Sequence, residues 1–204
     1  DSLEKLISAD GFLFAMGDGN HSLATAKAHW NNLKQNLSEE EKETHPARFA
    51  MVEVVNVHDE GIQFEPIHRV IMKNNQSPMT DEQLEKIKNY IKGSGREIEI
   101  VTNKGREKIQ IKEMGSNLVV GNLQILLDKY IEENPEIKID YIHGRVAVEK
   151  IVKEKGGVGF LLEGMKKEEL FPTVEKDGAL PRKTFSMGEA EEKRYYLESR
   201  KIVP

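Results

Sequence analysis

Within six consecutive residues, Gly17-Asp18-Gly19-Asn20-His21-Ser22, the chain offers a carboxylate, an amide, an imidazole and a hydroxyl around two glycines. Together these groups suit a phosphate. Asp18 could serve as a base or hold Mg²⁺, while His21 could donate a hydrogen bond, shuttle a proton or ligate a metal. The backbone around them favours the same chemistry. Phe12-Leu13-Phe14-Ala15-Met16 is an apolar run of strand length, and Gly17 and Gly19 let the chain turn through positive φ at little cost. Leu23, Ala26, Trp30, Leu33 and Leu37 then recur at three- and four-residue spacing, which predicts an amphipathic helix of about four turns. Asp18 or Asn20 would cap that helix, and the remaining first-turn N–H groups with the positive end of the dipole would favour phosphate or carboxylate. A plain strand-to-helix turn, with Asp18 and Asn20 only capping, is the competing reading of the same residues.

Two further groups carry chemistry. His68-Arg69 and His143-Gly144-Arg145 place imidazole beside guanidinium at element boundaries, an arrangement able to hold and polarise a phosphate. The alternative is that each arginine answers one of the chain's many carboxylates. Lys183, Thr184 and Ser186, just before Gly188, form a candidate phosphate-contacting loop, and a solvated surface loop fits them as well. His21, His68 and His143 with Asp18 would supply enough ligands for zinc, yet no H-x-x-H or H-E-x-x-H spacing supports such a site. His29, His45 and His58 read as surface residues. Ser22 lacks the G-x-S-x-G elbow of a serine hydrolase, and neither a P-loop nor a complete G-x-G-x-x-G is present.

Composition bounds these readings. The 204 residues are 32% charged and 6% aromatic, with a net charge of −5 and no cysteine. Disulfides, thiolate metal sites and cysteine nucleophiles are therefore excluded. The acidic balance argues against a broad DNA-binding surface. No apolar run approaches the roughly 20 residues of a membrane span, and no signal-like segment opens the chain, so a cytoplasmic location is the expectation. Starting at Asp1 without Met, the chain reads as part of a longer protein.

The elements that would position these groups can be traced in order. A first helix is expected over residues 2–8, and Ser38 with Glu41 reads as a capping box for a short turn ending before Pro46. Residues 49–57, nearly continuous in apolar side chains, predict a central strand, with residues 62–65 returning beside it. Thr80 and Gln83 cap a helix carrying Leu84, Ile87 and Ile91, which Gly93-Ser94-Gly95 would end. Alternation around Ile98, Ile100, Ile109 and Ile111 predicts a hairpin whose Glu and Lys side chains face each other. A helix through Leu123, Leu126, Leu127 and Tyr130 stops at Asn134-Pro135, so residues 74–135 could form a sub-lobe of one domain. Then come a strand near 137–142, a helix after Gly144, a buried strand from Val158, a basic loop over 180–188 and a charged helix from about 189 to 200.

Gly17-Asp18-Gly19-Asn20-His21-Ser22-Leu23-Ala24-Thr25-Ala26, Pro66-Ile67-His68-Arg69-Val70 and Leu180-Pro181-Arg182-Lys183-Thr184-Phe185-Ser186-Met187-Gly188 together resemble an uncharacterised SpoOJ/ParA/ParB/RepB-like family. The resemblance covers most of the chain and implies the C-terminal half of a protein about twice as long, whose missing N-terminal half would be its partner. The first motif is similar to the D-G-H-H-R signature of ParB-like domains and of a related free serine kinase. There, the loop and helix start bind nucleotide phosphates, and the acid assists phosphoryl transfer. Asp18, Gly19 and His21 match that acid, glycine and second histidine. Asn20 and Ser22 stand where the first histidine and the arginine would be, which leaves Arg69, Arg145 or Lys183 to hold the phosphate.

An α+β fold follows as the expectation, with a mixed or antiparallel sheet, flanking helices and a hairpin-helix lobe. The expected function is binding of a nucleotide (ATP, ADP or CTP, with Mg²⁺ on Asp18) or another phosphate ligand at residues 17–22. Phosphoryl transfer to a small metabolite would extend it, with Asp18 and His21 catalytic and Gly17, Gly19, Asn20, Ser22, His68, Arg69, His143, Arg145, Lys183 and Ser186 holding the ligand. The alternative is a non-catalytic nucleotide- or DNA-associated ParB-like regulatory module.

Overall fold

The computed structural model describes residues 3–8, 11–17 and 19–187. The described residues up to Asp59 form one unit and those from Glu60 onward another. No helix among the described residues is long and apolar enough to cross a membrane.

In the first unit, α1 (Asn20–Leu33) and α2 (Glu39–Thr44) are joined and flanked by 3-10 turns at Glu4–Leu6, Lys34–Asn36 and Pro46–Arg48. The capping box of α2 is present: Ser38 Oγ accepts the Glu41 N–H at 3.3 Å, and Glu41 Oε2 accepts the Ser38 N–H at 2.8 Å. Other expectations for this unit need correction. The helix over 2–8 shrinks to its single 3-10 turn, and α1 ends before Leu37 because residues 34–36 tighten into 3-10 geometry. Residues 12–16 join no ladder, and Phe12 instead hydrogen-bonds back to Ser8, its N–H reaching Ser8 Oγ at 3.0 Å. The central strand over 49–57 is likewise absent. That stretch is extended but unpaired, with Met51, Val52, Val54 and Val55 all about 60% exposed. Apolar, β-branched character fits a pleated, half-buried surface, but a strand also needs a partner. Among the described residues none lies beside it.

The second unit is a six-stranded antiparallel sheet with helices on both faces. Its elements are β1 (Phe64–Lys73), α3 (Asp81–Ile91), β2 (Lys92–Thr102), β3 (Gly105–Ile111), α4 (Val119–Glu133), β4 (Ile137–His143), α5 (Arg145–Lys155), β5 (Val158–Leu161), α6 (Lys167–Asp177) and β6 (Phe185–Met187). Strand order is β3-β2-β5-β1-β4, and β6 pairs with the start of β1. The returning strand expected at 62–65 is thus the beginning of β1. Alternation sorts the side chains into two layers. Ile71, Ile98, Ile100 and Phe160 pack with α3 and α4, while Val70, Met72, Val101 and Leu161 pack with Val148 and Val152 of α5. β5, buried along its whole length, is inserted between β1 and β2.

Several sequence signals hold in this unit. Thr80 and Gln83 form the capping box of α3, and the β2–β3 hairpin places Glu99 opposite Lys108. Gly93-Ser94-Gly95, expected as a break, lies inside β2 at a bulge. A Cβ on Gly93 would stand 2.6 Å from Lys112 Cα, and one on Gly95 2.7 Å from the Ile111 carbonyl, so close backbone approach explains these glycines. α6 escapes sequence reading because Pro172 sits inside it. β6 escapes because it is three residues long, secured by Phe185 stacked on Phe64 at 4.1 Å between centroids. The expected helix over 189–200 lies outside the described residues.

Gly157 precedes β5 where an added Cβ would press into the Ile71 carbonyl oxygen. Gly157→Ala should therefore destabilise the protein by about 1–3 kcal/mol, read as a lower urea midpoint at unchanged slope.

Candidate functional site

The N-terminal loop and the start of α1 lie in the first unit. Gly19 is the N-cap residue, held in the left-handed region at φ 79°, and no side chain among the described residues caps the helix. Asn20, expected as a possible cap, is instead the first residue of the helix. With a glycine in that place, the N–H groups of Asn20, His21 and Ser22 have no hydrogen-bond partner among the described residues. Asp18 lies outside the described residues. Beside the first turns runs an open groove of about 640 Å³ lined by His21, Ser22, Thr25, His29 and Phe49, among others. Thr25 Oγ1 donates to the His21 carbonyl at 2.9 Å, one turn along the helix. His29 and His58 are exposed as expected, whereas His45 is buried: its Nδ1 accepts the Ala47 N–H at 3.1 Å and its ring lies 6.0 Å from that of Trp30.

The second unit gathers a different set. Consecutive residues of β1 face opposite sides, so His68 and Arg69 diverge into separate layers. His68, 1% exposed, faces the α5 layer, where its Nδ1 accepts the Leu162 N–H at 3.1 Å. Burial, reinforced by the positive charges of Arg145 and Arg69, pushes its pKa down to about 4. It is a neutral structural acceptor and cannot clamp a phosphate. Arg69, fully buried, faces α4. Its Nε donates to Gln124 Oε1 at 3.2 Å, Nη2 to the Arg182 carbonyl at 3.1 Å and Nη1 to the Ile67 carbonyl. Burial lowers its pKa to about 10, so it stays charged at neutral pH. With its donors engaged, Arg69 holds protein rather than ligand, which corrects its expected phosphate-binding role.

Around Arg69 the network extends outward. Gln124 Nε2 donates to Asp128 Oδ1 at 2.9 Å and to Tyr141 Oη at 3.1 Å, and Arg182 pairs with Asp128 at 2.6 Å. The Tyr141 ring has the Arg69 guanidinium 5.3 Å and the Arg182 guanidinium 5.8 Å from its centroid. Sequence reasoning missed Gln124, Asp128 and Tyr141. The available signal was Gln124 itself, a polar side chain in the apolar stripe of α4 with Leu123, Leu126 and Leu127.

Arg182 fixes the start of the 180–187 segment. Lys183 follows with φ at 56°, an uncommon conformation for a non-glycine residue, and Thr184 Oγ1 donates to the Pro181 carbonyl at 2.6 Å. Ser186 then meets His143, its Oγ 3.2 Å from Nδ1. The structure therefore brings together His143, Ser186 and the Lys183 segment. Arg145 goes elsewhere, paired with Glu99 beside the Arg106–Glu149 ion pair. No group of three or more His, Asp or Glu side chains among the described residues could hold a metal ion. The expected set His21, His68, His143 and Asp18 is divided, since His21 belongs to the first unit and His68 and His143 to the second.

A family model described as a protein of unknown function (DUF1015) matches residues 2–202. The chain belongs to the DUF1015 family. The resemblance to SpoOJ/ParA/ParB/RepB-like proteins is thereby corrected: the shared D-G-x-H is too short to define a family, and nothing points to a ParB-like one. No curated protein and no solved structure matches this DUF1015 chain.

Two outcomes follow from the buried pair on β1. Arg69→Met leaves the Gln124, Ile67 and Arg182 acceptors without their donor and should cost about 2–4 kcal/mol in urea unfolding. It should also speed tryptic cleavage after Arg182 under native conditions, because the segment loses its anchor. For His68, the unfolded chain takes up a proton near pH 6.5 that the folded chain refuses until about pH 4. The stability it contributes is complete above pH 6.5 and is lost as pH falls toward 4. His68→Gln, which keeps an acceptor for Leu162, should remove up to about 1.4 kcal/mol per pH unit of that slope, measured by urea unfolding from pH 4.5 to 7.

Proposed function

We propose that the chain binds a phosphate-bearing small molecule, in the first place a nucleotide such as ATP, ADP or CTP, where the loop at residues 17–22 enters α1. The observation that carries this reading is a helix start that no side chain among the described residues caps. Gly19 in the left-handed region supplies no side-chain acceptor, so the Asn20, His21 and Ser22 N–H groups are left for an incoming anion beside a groove of about 640 Å³. His21 and Ser22, both lining that groove, add an imidazole and a hydroxyl at the same place.

The chemistry divides among these groups by type. Backbone amides and the dipole hold phosphate oxygens without needing a fixed counter-charge. His21 donates to a bridging or terminal oxygen, and the groove toward Thr25, His29 and Phe49 takes the remainder of the ligand. Asp18 precedes this cradle in sequence and is the residue to hold Mg²⁺ beside the phosphates. Phosphoryl transfer to a small metabolite is the activity such a site would support if the bound nucleotide is also consumed.

Calorimetric titration of the intact chain with ATP, ADP, CTP and inorganic phosphate, each with and without Mg²⁺, tests the reading. His21→Ala should weaken binding about tenfold, equivalent to about 1.4 kcal/mol, and Asp18→Ala should abolish the dependence on Mg²⁺. Absence of binding by the intact chain to every one of these compounds would overturn it.

A further inference from the structure

We infer that His143 and Ser186 form a catalytic pair in the second unit, acting on esters that carry a negative charge. Ser186 Oγ lies 3.2 Å from His143 Nδ1, within the distance over which an imidazole can take a hydroxyl proton. The two residues come from separate strands and are 43 positions apart in sequence. Pairing of Ile67 with His143 and of Glu65 with Ser186 sets both on one face, since Glu65 and Ile67 are two apart on β1. Glu65 lies directly opposite Ser186 in the β1–β6 register, which places it on that same face.

Three features distinguish this pair from a chance surface contact. The segment bearing Ser186 is anchored from the core, because the buried Arg69 donates to the Arg182 carbonyl and Phe185 stacks on Phe64. Lys183 is held at φ 56°, and backbone conformations of this kind gather at ligand clamps. Finally, the segment presents two exposed cations. Arg182 is balanced by Asp128, but Lys183 pairs with no carboxylate among the described residues, so the net charge it offers a ligand is positive. An anionic group on the substrate matches it.

The reaction balances without a cofactor. Ser186 Oγ bonds to the ester carbonyl carbon while His143 takes the hydroxyl proton. The bond from that carbon to the alcohol oxygen then breaks, and His143 returns the proton to the leaving oxygen. Water, deprotonated by His143, attacks the acyl-serine and releases the acid, restoring both side chains.

The chain contains no cysteine, so Ser186→Cys introduces a single thiol at the nucleophile's position. Its alkylation by iodoacetamide and by iodoacetate is followed by intact mass, with circular dichroism to establish that each variant folds. Ser186→Cys should react with iodoacetamide at least tenfold faster than Ser186→Cys/His143→Gln, because the imidazole draws the thiol toward thiolate. The ratio of iodoacetate to iodoacetamide rates should exceed that of free cysteine and fall several-fold in Ser186→Cys/Lys183→Gln. Equal rates with and without His143 would overturn the catalytic pair. An iodoacetate ratio no higher than that of free cysteine would overturn the anionic substrate class. If Ser186→Cys does not fold, labelling of Ser186 in the unmodified chain by a fluorophosphonate, slowed at least tenfold by His143→Gln, decides in its place, and an absence of labelling overturns the pair.

Discussion

A guanidinium buried in the middle of a β-sheet is the constraint on which the second unit depends. Arg69 stands between Phe160 of β5 and Tyr141 of β4 in the sheet register, under α4, fully removed from water. A charge so placed is tolerated only if its N–H groups are satisfied and its positive face is met by π-density or opposite charge. Gln124 of α4, the Ile67 carbonyl of its own strand and the Arg182 carbonyl satisfy the first condition. Tyr141 and the Asp128 carboxylate, reached through Gln124, meet the second. One side chain therefore sets the orientation of α4, the side chain packing on β4 and the course of the segment that follows residue 180. The groups that could do chemistry here, the exposed His143 and Lys183 and the half-buried Ser186, are displayed by elements that Arg69 orders.

The two units are stabilised by different means. In the second, every strand of the central sheet lends apolar side chains to a layer, and two helical layers close over them, so hydrophobic burial and ladder hydrogen bonds reinforce each other. In the first, α1 has no buried residue, and the apolar stretch around Met51 to Val55 is exposed. Local interactions do more of the work there: the Ser38–Glu41 capping box, the ring contact of Trp30 with His45 and the 3-10 turns. The helix start at Gly19 is consistent with this economy. The Asn20, His21 and Ser22 N–H groups have no partner among the described residues, the condition in which they can receive an anion.

Membership of the DUF1015 family ties these features to a family whose description carries no function. The two candidate centres are chemically distinct. One offers backbone amides and an imidazole at a helix start, and the other a hydroxyl beside an imidazole, with two exposed cations on the segment that carries the hydroxyl. Residues that looked alike in sequence have different uses. His68-Arg69 and His143-Gly144-Arg145 share imidazole and guanidinium, but the first pair is buried and structural, while the second divides between Ser186 and Glu99.

What could be read in the sequence was whatever local physics decides. The capping boxes at Ser38 and Thr80 hold because each is closed by residues three apart. The β2–β3 hairpin, the α3 and α4 stripes and the buried β5 hold because periodicity and turn residues speak for themselves over a few residues. Long-range partners were not readable. Residues 49–57 have the composition of a central strand and no strand beside them, while the three residues of β6 read as loop and still form a ladder with β1. The same distinction separates the site residues. Sequence alone marked His143, Lys183 and Ser186 as able to do chemistry and marked Gly19 as the turn before a helix. Only the tertiary structure decided that His68 and Arg69 are internal supports and that His143 faces Ser186, because strand pleating sends neighbours in sequence to opposite layers and pairing joins residues distant in sequence.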